Sequence, residues 1–227
     1  RGACSVICCL FAKMGDSVSM RETPGLNLEQ ALWEQGYQFI GGMDEAGRGA
    51  WAGPVIAALV ILPNNPQLGL TLSGVRDSKQ MTPRQRSRWA LEVKAIALAW
   101  SVGEASPAEI DEIGILPATR LAFSRAIQRC ELMPQYLLLD YIHWPGLKNP
   151  HQMMPKGESQ SLSIAAASVL AKTTRDQRMI DLDGQVPGYG LARHKGYGTA
   201  IHAEALRQLG SSNIHRRSFS IPKKLEK

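Results

Sequence analysis

Cysteine is scarce in this sequence, and long apolar runs are missing. Four of the 227 residues are cysteine, and Cys4, Cys8 and Cys9 fall within the first nine positions, so only Cys130 lies in the body of the chain. This distribution supports neither a disulfide framework nor a CxxC metal motif, and we therefore expect a reducing, cytoplasmic environment. No apolar stretch approaches the roughly 18 residues of a membrane-spanning helix, so we expect no membrane partner.

Basic residues are in excess, but only at one end of the chain. The sequence has 26 Lys and Arg against 20 Asp and Glu, a formal charge of +6. Residues 193–227 hold Glu204 and Glu226 against eight basic residues, which account for the whole excess: Arg193, Lys195, Arg207, Arg216, Arg217, Lys223, Lys224 and Lys227. A basic end on a neutral body suggests a polyanionic partner, although a solubilising tail explains the charge equally well.

The length of the chain suits one domain with short flanking segments. Residues 1–20 do not begin with Met, and their short apolar stretch lacks the charged flank and cleavage site of a signal peptide, so we predict a disordered leader. Residues 21–209 are predicted to form the folded domain, and residues 210–227 a basic C-terminal extension.

Hydrophobic periodicity predicts an α/β fold. Strands are predicted at 37–43, 55–62 and 136–140, and residues 95–102 fit either a helix end or a strand, of which we favour a strand from about Leu98. Helices are predicted at 24–35, 82–93, 107–132 (in two pieces hinged near Gly114), 162–179 and 199–209. Strands come first and helices then alternate with strands, which indicates a mixed sheet.

Carboxylates stand at the ends of two apolar strands. Asp44 and Glu45 follow the first predicted strand, Asp140 ends the segment YLLLD, and Glu158 follows in a loop before a helix. A carboxylate there requires a compensating positive charge, from Arg or Lys or from a hard divalent cation. Acids without a His or Cys cluster favour Mg²⁺ or Mn²⁺ over Zn²⁺. Each acid alone is readily explained as a solvated strand end, but the set predicts a two-metal site for phosphodiester hydrolysis.

A glycine-rich triplet follows the acidic pair. Gly47 and Gly49 allow backbone to approach a ligand closely, and Arg48 fits either a phosphate contact or an ion pair with the acids. A tight turn explains the same triplet.

Three further features are open to two interpretations. Ser78 and Lys79 fit phosphate contacts or a surface turn after Asp77. The small residues of 161–172 indicate a closely packed helix, on which Ser163 or Ser168 also fits a place beside the site. Tyr197 fits stacking on a base or sugar, or a structural role in its loop.

Taken together, these motifs resemble the ribonuclease HII family. The matching segments are GMDEAGRGAWAGPV (42–55), DSKQMTPRQR (77–86), YLLLD (136–140), KGESQSLSIAAASVLAKTTRDQRM (156–179), YGLARHKGYGTAIHAEAL (189–206) and IHRRSF (214–219). They occur in the family's order and span about residues 36–220.

The resemblance implies a ribonuclease H-like mixed sheet flanked by helices, with a C-terminal helical extension, and makes residues 21–209 the catalytic domain. The family's metal-binding and catalytic acids correspond to Asp44, Glu45, Asp140 and Glu158. The residues that sense the ribose 2′-hydroxyl correspond to Gly47, Arg48, Gly49 and Tyr197, and further nucleic-acid contacts are expected from Ser78, Lys79 and Lys172.

The implied activity is that of a cytoplasmic, monomeric endoribonuclease that removes misincorporated ribonucleotides. It cuts the RNA strand of RNA–DNA hybrids and the 5′ side of ribonucleotides embedded in duplex DNA, and leaves a 3′-hydroxyl and a 5′-phosphate. The sequence departs from the family at Glu158, where Asp is usual, at Tyr141, where Gly is common, and at Ala50-Trp51, where Pro-Leu is common. Asp176 also matches a family position and is predicted to be structural.

Two alternatives remain at this point. Another nuclease or an integrase of the same fold would share the carboxylates but not the Gly-Arg-Gly triplet and Tyr197. A catalytically inactive hybrid-binding module has no need of the intact carboxylates.

Overall fold

The structure is a computed structural model that describes residues 23–220. The leader predicted for residues 1–20 lies outside this range, as do Lys223, Lys224 and Lys227. None of the helices between residues 23 and 220 combines the length and the apolar character needed to span a membrane.

Five strands form one mixed sheet in the order β3-β2-β1-β4-β5. Their bounds are β1 Ile40–Ala46, β2 Val55–Ile61, β3 Ala99–Ala105, β4 Tyr136–Asp140 and β5 His151–Met154. Strands β1, β2 and β3 pair antiparallel, whereas β1, β4 and β5 pair parallel. This confirms the predicted α/β class and the mixed sheet.

The helices largely match the predicted segments. They are α1 Asn27–Glu34, α2 Leu68–Thr71, α3 Pro83–Ile96, α4 Pro107–Ile113, α5 Ile115–Arg129, α6 Leu162–Gln185, α7 Leu191–His194 and α8 Ala200–Leu209. The predicted hinge lies at Gly114, whose φ of 84° separates α4 from α5. The sequence prediction missed α2, α7 and β5, and it ended β1 too early. Pairing continues to Ala46 opposite Ile56, so the acidic pair lies within the strand.

Helices cover both faces of the sheet. On one face α6 and α3 contribute to a core that includes Ala58, Val60 and Val93. On the other, α5 contributes Phe123 to a core that includes Leu59 and Leu139. Helix α6 crosses β1 so closely that a Cβ on Gly42 would overlap the backbone of α6. Its small residues therefore serve the close packing that the sequence indicated, and they bring the start of α6 beside the acidic strands.

The C-terminal segment packs on the turn that follows β1. Ala52 of this turn shares an apolar cluster with Met179, Leu191 and Ile214, among other residues. The charge count included Arg216 in the basic end, but in the structure its side chain is 0% exposed. Its guanidinium is held by backbone carbonyls of the turn, so it belongs to the folded body.

Candidate active site

The sheet register brings two of the predicted acids together. Strands β1 and β4 run parallel with Met43 opposite Leu139, so Asp44 and Asp140 are the next residues on neighbouring strands. Asp140 also accepts a hydrogen bond at its Oδ1 from the Gly157 N–H, at 3.1 Å. The turn that carries Glu158 is thereby attached to the end of β4.

Asp44 is the most buried of the four acids, at 6% exposure. Its Oδ1 accepts the N–H of Glu45 at 2.8 Å. Burial raises the pKa of Asp44 well above its ordinary value, and the negative charges of Glu45 and Asp140 raise it further, whereas a hydrogen bond from Ser168 lowers it. Keeping this carboxylate ionised therefore calls for additional positive charge.

Glu45 is paired with the arginine of the glycine-rich triplet. Arg48 Nη1 donates to Glu45 Oε1 at 3.0 Å. Burial raises the pKa of Glu45, and the bond to Arg48 acts in the opposite direction. Of the two interpretations of Arg48, the structure favours the ion pair with the acids, while the side chain remains 39% exposed.

Glu158 lies in a 3₁₀ turn, Gly157–Ser159, that follows Lys156 in a left-handed conformation with φ of 55°. Its Oε2 atom is buried and has no hydrogen-bond partner within residues 23–220. Burial raises the pKa of Glu158, and the charges of Asp140 and Asp77 raise it further. An acceptor oxygen in this state is suited to a cation.

Lys79 lies among the acids, and Ser78 supports them from inside. Burial lowers the pKa of Lys79, but the surrounding carboxylates, first Asp44, raise it above its ordinary value. Ser78 is only 3% exposed, and its Oγ accepts a hydrogen bond at 2.9 Å from the Oγ of Ser168, the residue that lowers the pKa of Asp44. The structure therefore places Lys79 at the site and Ser78 beneath it.

The donor set fits a hard divalent cation. As the side chains are placed, no three His, Cys, Asp or Glu residues between positions 23 and 220 are close enough to hold a metal ion together. However, the acids supply only oxygen donors, Glu158 Oε2 has no partner, and Asp44, Glu45 and Glu158 all have raised pKa values. A cation would relieve each of these features.

The two glycines of the triplet have different surroundings. Gly47 has φ of 98°, and a Cβ there would overlap the side chain of Arg175. A Cβ added to Gly49 would meet no atom within 4 Å. Within residues 23–220 the N–H groups of Arg48 and Gly49 have no hydrogen-bond acceptor. The prediction that backbone here is open to a ligand therefore suits Gly49, whereas Gly47 is required for packing.

Tyr197 lies against cationic side chains. Lys172 Nζ is 5.4 Å from the centre of its ring, and the Arg175 guanidinium is 5.2 Å away. Lys172 also donates to Asp176 Oδ1 at 2.6 Å, and Asp176 accepts from Arg86 at 3.2 Å. Lys172 is thus placed beside Tyr197, and Asp176 has the kind of structural contacts predicted for it.

The sequence did not identify three residues around Tyr197. Arg175 and Arg216 are fully buried, and the Nδ1 atom of His202 is 3.0 Å from the Tyr197 carbonyl oxygen. His202 stacks on His194 with ring centres 4.4 Å apart, and its Nε2 is 3.1 Å from Nε2 of His215. Their only signal in the sequence is that they lie within the matching segments 156–179, 189–206 and 214–219.

Comparisons with known proteins point to one family. The family model described as Ribonuclease HII matches residues 41–221. Ribonuclease HII of Dehalococcoides mccartyi is 45% identical over 198 residues, which cover 87% of this chain and 93% of the relative. Ribonuclease HII of a Thermus thermophilus strain is 47% identical over 193 residues, which cover 85% of this chain and 91% of the relative.

Solved structures share the fold. Ribonuclease H2 from Pyrococcus horikoshii OT3 has 26% identity and a TM-score of 0.67, with 82% of this chain and 96% of that chain covered. Bst-RNase HIII, solved in complex with Mn²⁺, has 20% identity and a TM-score of 0.61, with 83% of this chain and 69% of that chain covered. At that identity the second likeness concerns the fold alone.

Proposed function

The chain belongs to the ribonuclease HII family, and we propose from this that it cuts the RNA strand of RNA–DNA hybrids and the 5′ side of ribonucleotides embedded in duplex DNA. The products are a 3′-hydroxyl and a 5′-phosphate. The observation that carries the proposal is the convergence of Asp44 and Asp140 on neighbouring parallel strands, with Glu158 attached through Gly157.

Asp44, Glu45, Asp140 and Glu158 would hold two divalent cations, Mg²⁺ or Mn²⁺. When bound, such ions lower the pKa of the attacking water and stabilise charge on the leaving oxygen. The choice of metal is supported by the all-oxygen donor set.

The side chains around the acids have complementary roles. Lys79 offsets part of the repulsion among the carboxylates and presents a cation toward an incoming phosphate. Arg48 holds Glu45 on one side and keeps an exposed face for the nucleic acid. These residues orient the scissile phosphate and limit the charge repulsion that it would otherwise meet.

Recognition of the ribonucleotide is assigned to the 47–54 turn and to Tyr197. The N–H groups of Arg48 and Gly49 are available donors, and Gly49 leaves space for a sugar to approach. The 2′-hydroxyl is the group that distinguishes RNA from DNA, and an aromatic ring provides a stacking surface for the neighbouring sugar or base. Ser78 would act through Ser168 and Asp44, and Lys172 through the cationic surface beside Tyr197. We propose that the enzyme acts as a monomer.

A single assay tests this function. Incubation with Mn²⁺ and a DNA duplex that contains one ribonucleotide should give one cut 5′ of that ribonucleotide, and an all-DNA duplex should stay intact. Asp140→Asn should retain the fold and the binding of hybrid but lose nearly all cleavage, because a neutral amide is a poor ligand for a hard cation. Asp181→Asn, which changes an exposed acid bonded to Gln177, is the matched control and should cleave normally.

Two results would contradict the proposal. Cleavage of the all-DNA duplex would favour another nuclease of the same fold. Binding of hybrid without any cleavage by the wild-type protein would favour the inactive binding module.

A further inference from the structure

Two arginines are the largest fully buried side chains between residues 23 and 220. Arg175 on α6 and Arg216 near the C-terminus are both 0% exposed. A buried cation ordinarily requires a carboxylate partner, because the charge has lost its hydration. Within the described part of the chain, every hydrogen bond that these guanidinium groups donate ends instead on a backbone carbonyl. Those carbonyls belong to the loops that we assign to ribonucleotide recognition.

Arg175 joins two of these loops through one planar group. Its Nε donates to Pro54 O at 3.1 Å and its Nη2 to Ala52 O at 3.1 Å, both in the 47–54 turn. Its Nη1 donates to Lys195 O at 2.9 Å, two residues before Tyr197. The same guanidinium lies 5.2 Å from the ring centre of Tyr197. Because the donors of a guanidinium have fixed relative directions, this side chain sets the distance between the turn and residues 195–199, here called the Tyr197 loop.

Two glycines permit the close approach. Gly47, with φ of 98°, leaves the space that the Arg175 side chain fills. Gly196, with φ of 77°, lies against the turn so closely that a Cβ would be 2.5 Å from Ala52 O. The Gly196 carbonyl accepts the N–H of Trp51 at 2.8 Å. The two loops therefore form one bonded unit with Arg175 at its centre.

Arg216 provides an internal comparison. It donates to Gly53 O at 3.0 and 2.9 Å and to Arg48 O at 2.8 Å, all within the 47–54 turn. Its guanidinium lies 5.0 Å from the ring of Phe219. It supports the same turn as Arg175 but donates no hydrogen bond to the Tyr197 loop.

We propose that Arg175 is a positioning residue for substrate discrimination, which fixes the 47–54 turn relative to Tyr197 so that both contact the same ribonucleotide. This inference rests on the proposed function and deepens it. A duplex with one ribonucleotide offers a single 2′-hydroxyl, so the 47–54 turn and Tyr197 must both be positioned at that one nucleotide. A long hybrid offers a 2′-hydroxyl at every position of its RNA strand and tolerates displacement of one loop.

The test measures kcat/KM on a single-ribonucleotide duplex divided by kcat/KM on a long hybrid. Arg175→Lys keeps the charge but replaces the three donor nitrogens of the guanidinium with a single ammonium group. We expect it to lower this ratio about tenfold, comparable to the loss of a stacking contact. Tyr197→Ala should lower the ratio to a similar extent. The double variant should show no further fall, because both changes remove the same coupling.

Two matched variants separate this role from general support. Arg216→Lys should reduce kcat/KM on both substrates together and leave the ratio unchanged. Arg178→Lys, an exposed position on the same helix whose guanidinium is 3.7 Å from Glu104, should alter neither substrate.

The proposal fails if folded Arg175→Lys has a wild-type ratio, or if its effect adds fully to that of Tyr197→Ala. Circular dichroism and thermal unfolding establish folding, and Arg175→Gln is the second variant if Arg175→Lys does not fold. If neither variant folds, Arg175 holds the fold itself and the proposal is overturned. A failure of the proposed function is seen separately, because the wild-type protein would then not cut the single-ribonucleotide duplex.

Discussion

The N–H of Gly157 donates to Asp140 Oδ1 at 3.1 Å, so the turn that carries Glu158 is bonded to the end of β4. A Cβ on Gly157 would also be only 2.7 Å from the side chain of Ile164. The close fit of this glycine between Asp140 and α6 holds Glu158 beside the other acids, although Glu is longer than the Asp usual in the family.

Glu158→Gln should lose most of kcat while binding hybrid normally, and Glu158→Asp should stay active but slower, because its shorter side chain reaches less far. The alternative is that Glu158 only stabilises the start of α6, where a negative charge contributes roughly 0.3–1 kcal/mol. The side chain that caps α6 is instead Ser161, which accepts the N–H of Ile164 at 3.1 Å. Kinetics and thermal unfolding on one preparation decide: a lowered melting temperature with unchanged kcat in Glu158→Gln would remove Glu158 from the site.

Alanine at Gly47 should lower stability, whereas alanine at Gly49 should lower activity alone. Gly47→Ala introduces strain at φ of 98° and a clash with Arg175, and strain of about 1–3 kcal/mol corresponds to a fall in melting temperature of roughly 3–10 °C. Gly49→Ala meets nothing within 4 Å, so it should leave the melting temperature unchanged. It should still lower kcat/KM several-fold, because the added methyl obstructs the approach of a sugar. Equal melting temperatures for the two variants would contradict this assignment.

Local patterns in the sequence predicted that acids follow two apolar runs and that a helix is hinged, because each feature depends on neighbouring residues, although β1 extends past its acids to Ala46. Asp44 and Asp140 follow apolar runs, and Gly114 interrupts a helical stripe. Arg175 was not predicted, since an arginine within a helix normally faces solvent and its partners are distant in sequence. Strand β5 was missed because HQMM is short, mostly exposed and without alternation.

Acid should weaken the C-terminal part of the fold through His202. Burial, reinforced by His194 and His215, lowers the pKa of His202 to about 4. The unfolded chain, with a histidine pKa of about 6.5, binds more protons between these values, so stability falls as pH drops from about 6.5 toward 4. Wild type should therefore lose more of its melting temperature between pH 7.5 and pH 5 than His202→Gln does. Parallel curves for the two proteins would show that His202 does not contribute.

Tyr197→Ala should impair cleavage at a single embedded ribonucleotide more than cleavage of a long hybrid. Stacking on an aromatic ring contributes roughly 1–3 kcal/mol, so we expect a selective loss of about tenfold or more. Tyr197→Phe keeps the ring against Lys172 and Arg175 and should retain most of the selectivity. Equal losses on both substrates in Tyr197→Ala would assign the residue to structure alone.

The remaining basic end should contribute affinity that depends on salt and not on sequence. Arg216 is buried, and Arg207 is paired with Glu204 at 2.6 Å, so they are poorly placed to bind phosphate.

Deleting the residues after Phe219 removes Lys223, Lys224 and Lys227 together with one acid, Glu226. If these lysines contact phosphates, the slope of log affinity against log salt concentration should become shallower by up to about 0.9 for each lost contact. Replacing the three lysines with glutamine keeps the chain length and should produce the same change. Titrations of a fluorescent hybrid between about 50 and 200 mM salt measure the slope, and an unchanged value in both variants would make the end a solubilising tail, the second of the two explanations that its charge allowed.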